Sequence, residues 1–256
     1  MVAGTNADVL PWRRRTARVR PAGFEAPRDR YGHGATSRRV PFNRVQLRSG
    51  SGLHSAKATA AHQYAIAAVD YAAIEPDRVH RGLRYLPYLA RAVVIALGAH
   101  PQLNATIVDD EPIVHDGVHL GIAVDLDHEG LVVPVIRDAH LLNVAGLASA
   151  IADVAARARS RQLRPDDLGG GTFTITNPGG FGTYWSFPII NVPQVAILSS
   201  DAIAKRVVAA GDELHIRPIG NVGLATDARA IEPAEAARFL STLQITMSAT
   251  TRSSWF

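Results

Sequence analysis

The chain has 256 residues, of which 47% are apolar and 20% charged, and its 27 basic and 23 acidic side chains give a formal net charge of +4. This length and composition predict one substantial hydrophobic core. No apolar run reaches the roughly 20 residues of a membrane-spanning helix, and no apolar segment follows the N-terminal charges, so we expect a soluble, cytoplasmic protein without a membrane partner. The absence of cysteine excludes disulfides, thiolate metal sites and cysteine nucleophiles.

Positive charge is concentrated in residues 1–39, which contain nine arginines and three carboxylates and so carry a net charge of +6. The rest of the chain therefore has a net charge of about −2. Pro11, Pro21 and Pro27 interrupt this segment and no apolar period runs through it, which predicts a basic, disordered tail. The tail could serve as a plain linker, as a docking arm for an acidic partner subunit or as a nucleic-acid contact. No nucleic-acid fold signature accompanies the arginines, so we do not expect a nucleic-acid partner.

The first predicted helix covers residues 85–99, where an apolar stripe at helical spacing indicates a buried face: Leu89, Val93 and Leu97. β-branched runs over 118–126 and 131–136 flank an Asp-His-Glu-Gly turn and predict two core strands. Asn143 can cap a second helix that ends near Leu163. Further strands are predicted at 172–176, at 195–198, at 214–216 and before Asp227. A last helix starts at Glu232 and buries three apolar residues: Phe239, Leu240 and Leu243.

This order of elements is mixed α and β without a repeating βαβ unit, so it does not predict a Rossmann fold. The expected organisation is a tail over 1–39, one α/β (α+β) domain over 40–243 and a C-terminal tail over 244–256. The glycine clusters lack the spacing of a phosphate-binding loop and are interpreted as turns. The ten histidines lack metal-ligand spacing, so we expect no metal site.

Two motifs carry the chemical information. The first reads Gly-Gly-Thr-Phe-Thr-Ile-Thr-Asn-Pro-Gly over 170–179, and the second reads Thr-Asp-Ala-Arg-Ala-Ile-Glu-Pro over 226–233. Together with Gly-Leu-Val-Val-Pro-Val-Ile-Arg-Asp-Ala over 130–139 and Asn-Val-Pro-Gln-Val-Ala-Ile-Leu over 191–198, they closely resemble the catalytic domain of the dihydrolipoyl acyltransferases of 2-oxoacid dehydrogenase complexes. The resemblance covers the whole predicted globular part.

The resemblance implies a chloramphenicol-acetyltransferase-like, two-layer sandwich in which helices pack on a mixed sheet. It also implies homotrimers with each active site between two subunits, other subunits of a 2-oxoacid dehydrogenase complex as partners, and acyl transfer between dihydrolipoamide and coenzyme A. Coenzyme A is therefore the expected cofactor. We expect no lipoyl-lysine domain and no peripheral-subunit-binding domain in this chain.

In this family a histidine takes the proton of the coenzyme A thiol, and a hydroxyl stabilises the oxyanion formed at the thioester. The resemblance places the hydroxyl at Thr176, the histidine position at Ala228 and the aspartate position at Glu232. On the residues alone, Thr176 would be interpreted as a strand residue and Glu232-Pro233 as the start of a helix. Because alanine cannot carry a proton, we expect acyl transfer to be impaired.

The first helix of the family begins with two arginines, one of which pairs with the aspartate that Glu232 replaces. Gln46 and Leu47 occupy the two arginine positions here. Gly50 and Gly52 follow, and each glycine costs about 1 kcal/mol in a helix interior relative to alanine. We therefore predict a poor helix and no such ion pair.

Three aromatic residues crowd the turn before Pro188: Tyr184, Trp185 and Phe187. They are interpreted either as core or trimer packing or as the wall of a reshaped acyl pocket. Three histidines lie on or beside predicted strands remote in sequence from position 228: His62, His115 and His119. They are candidates to replace the missing base, and we interpret them as structural instead.

Two hypotheses follow from these residues. One is an acyltransferase of reduced rate that keeps coenzyme A binding, and the other is a non-catalytic trimeric scaffold or core component of a 2-oxoacid dehydrogenase complex. The acyl-group specificity stays open. The polar C-terminal stretch 248–254 does not resemble the apolar anchors that join trimers in the family, so a trimer is favoured over a larger particle.

Overall fold

The computed structural model describes residues 40–127 and 129–249. Its helices are α1 (Arg44–Thr59), α2 (Glu75–Arg81), α3 (Tyr85–Ala99), α4 (Val144–Arg159) and α5 (Pro233–Ser248). Its strands are β1 (His62–Asp70), β2 (Ala105–Val108), β3 (Glu111–Val114), β4 (Leu120–Ile122), β5 (Val124–Asp125), β6 (Leu131–Val132), β7 (Val135–Ile136), β8 (Phe173–Thr176), β9 (Ala196–Ser200), β10 (Ala204–Ala210) and β11 (Glu213–Asp227). The predicted basic tail and residues 250–256 lie outside the described residues.

A seven-stranded mixed sheet forms one layer, with the order β1-β11-β9-β8-β4-β7 and with β10 paired to β11. The pairs β8–β9 and β4–β8 are parallel, and the other pairs of this sheet are antiparallel. The 15-residue strand β11 organises the sheet, because it pairs with β10 over 213–219, with β1 over 219–227 and with β9 over 222–226. The pairs β2–β3 and β5–β6 form separate small sheets.

The second layer consists of helices, of which α3 packs against α4 and α5, and α5 packs on β1. The three apolar residues predicted for the inner face of α3 are buried, and so are those predicted for the last helix. Phe239 of α5 contacts Phe173 of β8 with ring centroids 6.0 Å apart, which joins the helical layer to the sheet. Helices packed on a mixed sheet confirm the predicted fold class. No helix within the described ranges is both long and apolar enough to span a membrane.

Helix α1 is a regular helix of 16 residues, so the prediction of a poor helix is wrong. Asn43 and Gln46 form a reciprocal capping box, in which each side chain accepts a hydrogen bond from the backbone N–H of the other residue. Such a cap contributes about 1 kcal/mol and offsets much of the cost of one glycine. Gly50 and Gly52 face open space, and packing of α1 on β6 supplies further stabilisation.

The two runs predicted as single strands over 118–126 and 131–136 are each broken in the structure. β4 and β7 pair within the large sheet, whereas β5 and β6 pair with each other. Pro134 separates β6 from β7, and it has no N–H to continue a ladder. The chain therefore changes sheets inside each apolar run.

Several predicted boundaries also shift. The strands predicted at 214–216 and before Asp227 are parts of one strand, β11. Helix α4 ends at Arg159, before the predicted end near Leu163. Helix α5 continues to Ser248 and buries Met247 completely, so packed structure extends beyond residue 243.

Candidate active site

A cavity of about 720 Å³ lies between α1, β6, the end of β8 and the segment 186–192. Its walls are mainly apolar, and Arg44 and Arg48 are the charged side chains among the described residues that line it. Thr176 lines this cavity, whereas neither Ala228 nor Glu232 does. Within one chain, the predicted site residues therefore fall in two separate places.

Thr176 ends strand β8 and is partly buried. Its hydroxyl has no hydrogen-bond partner among residues 40–127 and 129–249. The neighbouring hydroxyl of Thr174 is engaged instead, because it donates to Oε1 of Gln194 at 2.7 Å and accepts from Nδ2 of Asn191 at 3.4 Å. Of the two threonines on this wall, Thr176 is the one whose hydroxyl is available to a ligand.

Asp201 holds the segment that forms the outer wall of the cavity. Its carboxylate is 3% exposed, and Oδ1 accepts hydrogen bonds from the hydroxyls of Thr183 at 2.8 Å and Ser186 at 2.9 Å. Its backbone lies against Gly179, where an added Cβ would be 2.5 Å from the Asp201 carbonyl oxygen. Asp201 was not predicted from the sequence, where its signal is an acidic residue that follows an apolar run after two serines, Ser199 and Ser200.

The three aromatic residues of the same segment are all more than half exposed, so the core-packing interpretation is wrong for this chain. Phe187 lines the cavity and packs edge-on against Tyr64, with ring centroids 5.3 Å apart. The ring centroids of Tyr184 and Trp185 are 5.1 Å apart. The guanidinium carbon of Arg206 lies over the Tyr184 ring, 4.6 Å from its centroid. Phe187 fits the pocket-wall interpretation, and the trimer-packing interpretation of the other two stays a prediction.

The second motif forms the turn between β11 and α5. Asp227 is buried and accepts hydrogen bonds from the Ala61 N–H at 3.2 Å and from the Arg229 guanidinium at 2.8 Å. Burial alone would raise the pKa of Asp227, but the hydrogen bonds from Arg229 and Ala61 outweigh it and hold that pKa below its usual value. Ala228 exposes its methyl group and donates its N–H to the Ala61 carbonyl. The turn is ordered without a proton-carrying side chain at position 228.

Glu232 is the residue immediately before the first turn of α5, and Pro233 is the first residue of the helix. The Glu232 side chain makes no capping hydrogen bond. It is exposed and has no ion-pair partner within the described ranges. The interpretation of Glu232-Pro233 as a helix start is therefore confirmed.

His62 lies opposite Asp227 in the β1–β11 ladder, so the structure brings it near position 228 although the two are remote in sequence. Its Nε2 accepts from the Ile190 N–H at 3.0 Å, and Nδ1 lies 3.1 Å from the Ala60 carbonyl oxygen. Nδ1 therefore carries the proton, and both nitrogens are engaged. The other two histidines are also held, His115 by Thr106 and His119 by Asp138. In the described part of the chain, no three His, Asp or Glu side chains are grouped for a metal ion.

Residues 34–253 match the family described as 2-oxoacid dehydrogenases acyltransferase (catalytic domain). The chain belongs to this family. A stretch of 175 residues is 48% identical to the dihydrolipoyllysine-residue acetyltransferase component of the pyruvate dehydrogenase complex of Mycobacterium bovis, and covers 66% of this chain and 32% of that relative. A stretch of 163 residues is 45% identical to the dihydrolipoyllysine-residue succinyltransferase component of the 2-oxoglutarate dehydrogenase complex of Bacillus subtilis, and covers 63% of this chain and 39% of that relative.

The solved structure of Azotobacter vinelandii dihydrolipoamide acetyltransferase matches with a TM-score of 0.85 and 29% identity, over 91% of this chain and 99% of that chain. Chloramphenicol acetyltransferase shares the fold, with a TM-score of 0.54 and 8% identity over 77% of this chain and 93% of that chain. These matches confirm the predicted chloramphenicol-acetyltransferase-like fold. The chain spans about a third of the length of the two curated family members.

The two arginines of the cavity were not among the site residues predicted from the sequence. Arg44 and Arg48 are four residues apart, which places them on the same face of α1. The spacing indicates a shared face only if the segment is helical, and we predicted a poor helix over this stretch.

Proposed function

We propose that this domain binds coenzyme A and acyl thioesters in the cavity beside Thr176 and transfers acyl groups between dihydrolipoamide and coenzyme A at an impaired rate. The observation that carries the proposal is the unengaged Thr176 hydroxyl on the wall of a mainly apolar cavity. A positioned donor of this kind stabilises the oxyanion formed when a thiolate attacks a thioester. The names of the two curated relatives, both acyltransferase components of 2-oxoacid dehydrogenase complexes, support the reaction class.

The impairment follows from position 228. A positioned general base contributes about 10² to 10⁴ in rate, and Ala228 provides none. The Glu232 side chain has no hydrogen-bond or ion-pair partner in the described part of the chain, and both ring nitrogens of His62 are engaged, so neither residue replaces the base. The attacking thiolate must then form by its own ionisation, and an unperturbed thiol has a pKa of about 8.5. The rate of acyl transfer should therefore rise with pH above neutrality.

We further propose a homotrimer in which the cavity of one subunit meets the turn after Asp227 of its neighbour. The separation of Thr176 from Ala228 within one chain supports this arrangement, since a site built between subunits needs the two halves on different surfaces. Exposed apolar side chains beside the cavity, including Tyr64, Ile66 and Phe187, supply a surface for such an interface. A cytoplasmic location and other subunits of a 2-oxoacid dehydrogenase complex as partners complete the proposal.

The second candidate function is a non-catalytic trimeric scaffold. The Asp227–Arg229 pair favours it, because the turn that would carry the base keeps its order without one. In a scaffold this turn would serve subunit contacts alone, and the cavity would have no ligand to bind.

Titration of the full chain with coenzyme A by calorimetry separates the two candidates. An impaired enzyme should bind one coenzyme A per subunit, whereas a scaffold should give no heat of binding. Sedimentation of the same sample should give a trimer at micromolar concentration. A monomer would contradict the trimer, and a correct trimer that does not bind coenzyme A would replace the enzyme proposal with the scaffold.

A further inference from the structure

Arg44 and Arg48 place two positive charges at one end of the cavity. Both lie on α1 one turn apart, and neither guanidinium has a hydrogen-bond or ion-pair partner among the described residues. No aspartate or glutamate of the described chain lines the cavity. The first turn of α1 also contains no acidic residue, so Arg44 lies near the positive end of the helix dipole without compensation. This part of the chain leaves the two charges without a counter-charge.

The rest of the cavity has a different character. Leu131, Val133 and Ile189 give it apolar walls, and the Thr176 hydroxyl provides a donor. A ligand that matches all these features has a carbonyl group for Thr176, a short apolar chain along the walls and an anion for the arginines. Both arginines are exposed, and guanidinium groups bind carboxylates through paired, charge-assisted hydrogen bonds.

We propose that Arg44 and Arg48 form an anion subsite that selects acyl groups ending in a carboxylate over neutral acyl groups of the same length. The proposal rests on the acyl-thioester function given above and specifies its substrate class as the thioesters of dicarboxylic acids. The arginines act as specificity residues, because they bind the far end of the acyl group and not the atoms that react.

The phosphates of coenzyme A are a second source of the same anion chemistry, so the test must separate the two. S-Succinylpantetheine carries a carboxylate and no phosphate, S-butyrylpantetheine carries neither, and coenzyme A carries phosphates without an acyl carboxylate. Calorimetric titration of the full chain with each of the three compounds reports the subsite without depending on catalysis.

Because both arginines are exposed, wild-type protein should bind S-succinylpantetheine about two- to thirtyfold more tightly than S-butyrylpantetheine, the range for two ion pairs between exposed groups. The Arg44→Gln, Arg48→Gln double variant should lose this preference by weakening the succinyl compound alone. A variant that combines Arg44→Gln with Arg48→Lys should retain part of the preference, because one positive charge remains in the subsite. Arg159→Gln, an exposed arginine of α4 outside the cavity, is the matched control and should leave all three affinities unchanged.

Equal affinity of the wild type for the succinyl and butyryl compounds would overturn the proposal and leave the acyltransferase function standing. A double variant that loses coenzyme A affinity but keeps the succinyl preference would also overturn it, and would assign the arginines to the phosphates. If neither acyl compound binds, the acyl-thioester function itself fails, and the subsite fails with it. Thermal melting of each variant checks that a lost affinity is not lost folding.

Discussion

The wall around Thr176 and the turn after Asp227 are formed by the two sequence motifs. They differ in the side chains that they offer for chemistry. At the wall, Thr174 donates to Gln194 while the Thr176 hydroxyl has no partner among the described residues, so a hydroxyl is available to a ligand of the cavity. At the turn, Asp227 still orders the backbone, but Ala228 offers only a methyl group. The order of the turn therefore depends on Asp227, whereas its capacity for proton transfer depends on position 228.

The substitution Ala228→His tests this difference with the largest expected effect. If only the base is missing at the turn, an imidazole at this position should raise the rate of acyl transfer from an acyl-dihydrolipoamide to coenzyme A by about 10²-fold, the lower part of the range for general-base catalysis. The pH dependence should flatten toward neutrality, because thiolate formation no longer depends on the solvent. Adding Glu232→Asp and Pro233→Gly should raise the rate further by restoring the family motif.

The matched control combines Ala228→His with Thr176→Val, which keeps the branched side chain of the strand and removes the hydroxyl. That double variant should lose most of the gain, since an oxyanion donor contributes about 10²- to 10³-fold. A correctly assembled Ala228→His trimer that binds coenzyme A without any gain in rate would show that the wall, too, has lost its chemistry.

The substitution Gly179→Ala tests the wall by packing. An added Cβ would lie 2.5 Å from the backbone oxygen of Asp201 and 2.6 Å from its carbonyl carbon, so the backbone itself must move. We expect the free energy of unfolding to fall by about 3 kcal/mol, the upper end of the usual cost of overpacking. Gly180→Ala is the neighbouring control, because nothing lies within 4 Å of its added Cβ. Denaturant unfolding that gives equal stabilities for the two variants would contradict the close approach of this loop to Asp201.

The substitution Asp227→Asn tests the turn through pH and has the smallest expected effect. The pKa of Asp227 is lower in the folded state than in the unfolded chain, so its ionised form favours folding. That contribution is fully present above the unfolded pKa of about 4 and is lost as the pH falls through the lower folded value. Denaturant unfolding should show wild type more stable than Asp227→Asn by about 1.5 kcal/mol at pH 7, the value of a hydrogen bond to a charged group. The difference should shrink below pH 4, and a constant difference would contradict the role of the ionised carboxylate.

The sequence predicted those features that depend on local pattern. The stripe of Leu89, Val93 and Leu97 located helix α3, and Thr176, which motif resemblance singled out, lines the cavity. The assignment of position 228 to the base stays a prediction. Helix α1 forms despite the low helix propensity of its two glycines, because the Asn43 capping box and packing on β6 offset their cost of about 1 kcal/mol each.

Features that depend on tertiary contact were not predictable in this way. His62 lies beside position 228 only because β1 pairs antiparallel with the end of β11, a register that sequence distance conceals. The arginines of α1 share a cavity with β6 and the end of β8, because the helix packs on β6. Asp201 is similar, since it follows β9 and its two hydroxyl partners come from the loop that precedes this strand.

The continuous strand β11 determines which motions can reach the turn. Its first half pairs with β10 in a hairpin whose Val207, Leu214 and Ile216 are exposed, whereas its last residues are buried between β1 and β9. Local opening of the hairpin therefore breaks few apolar contacts and can occur often. Release of the turn at Asp227 must break the hydrogen bonds of its carboxylate to Ala61 and Arg229 and separate the buried end of β11 from β1, so it costs more free energy than opening of the hairpin. We therefore expect the backbone at position 228 to be more persistent than the hairpin, and a reactive group placed there would be held by the same contacts.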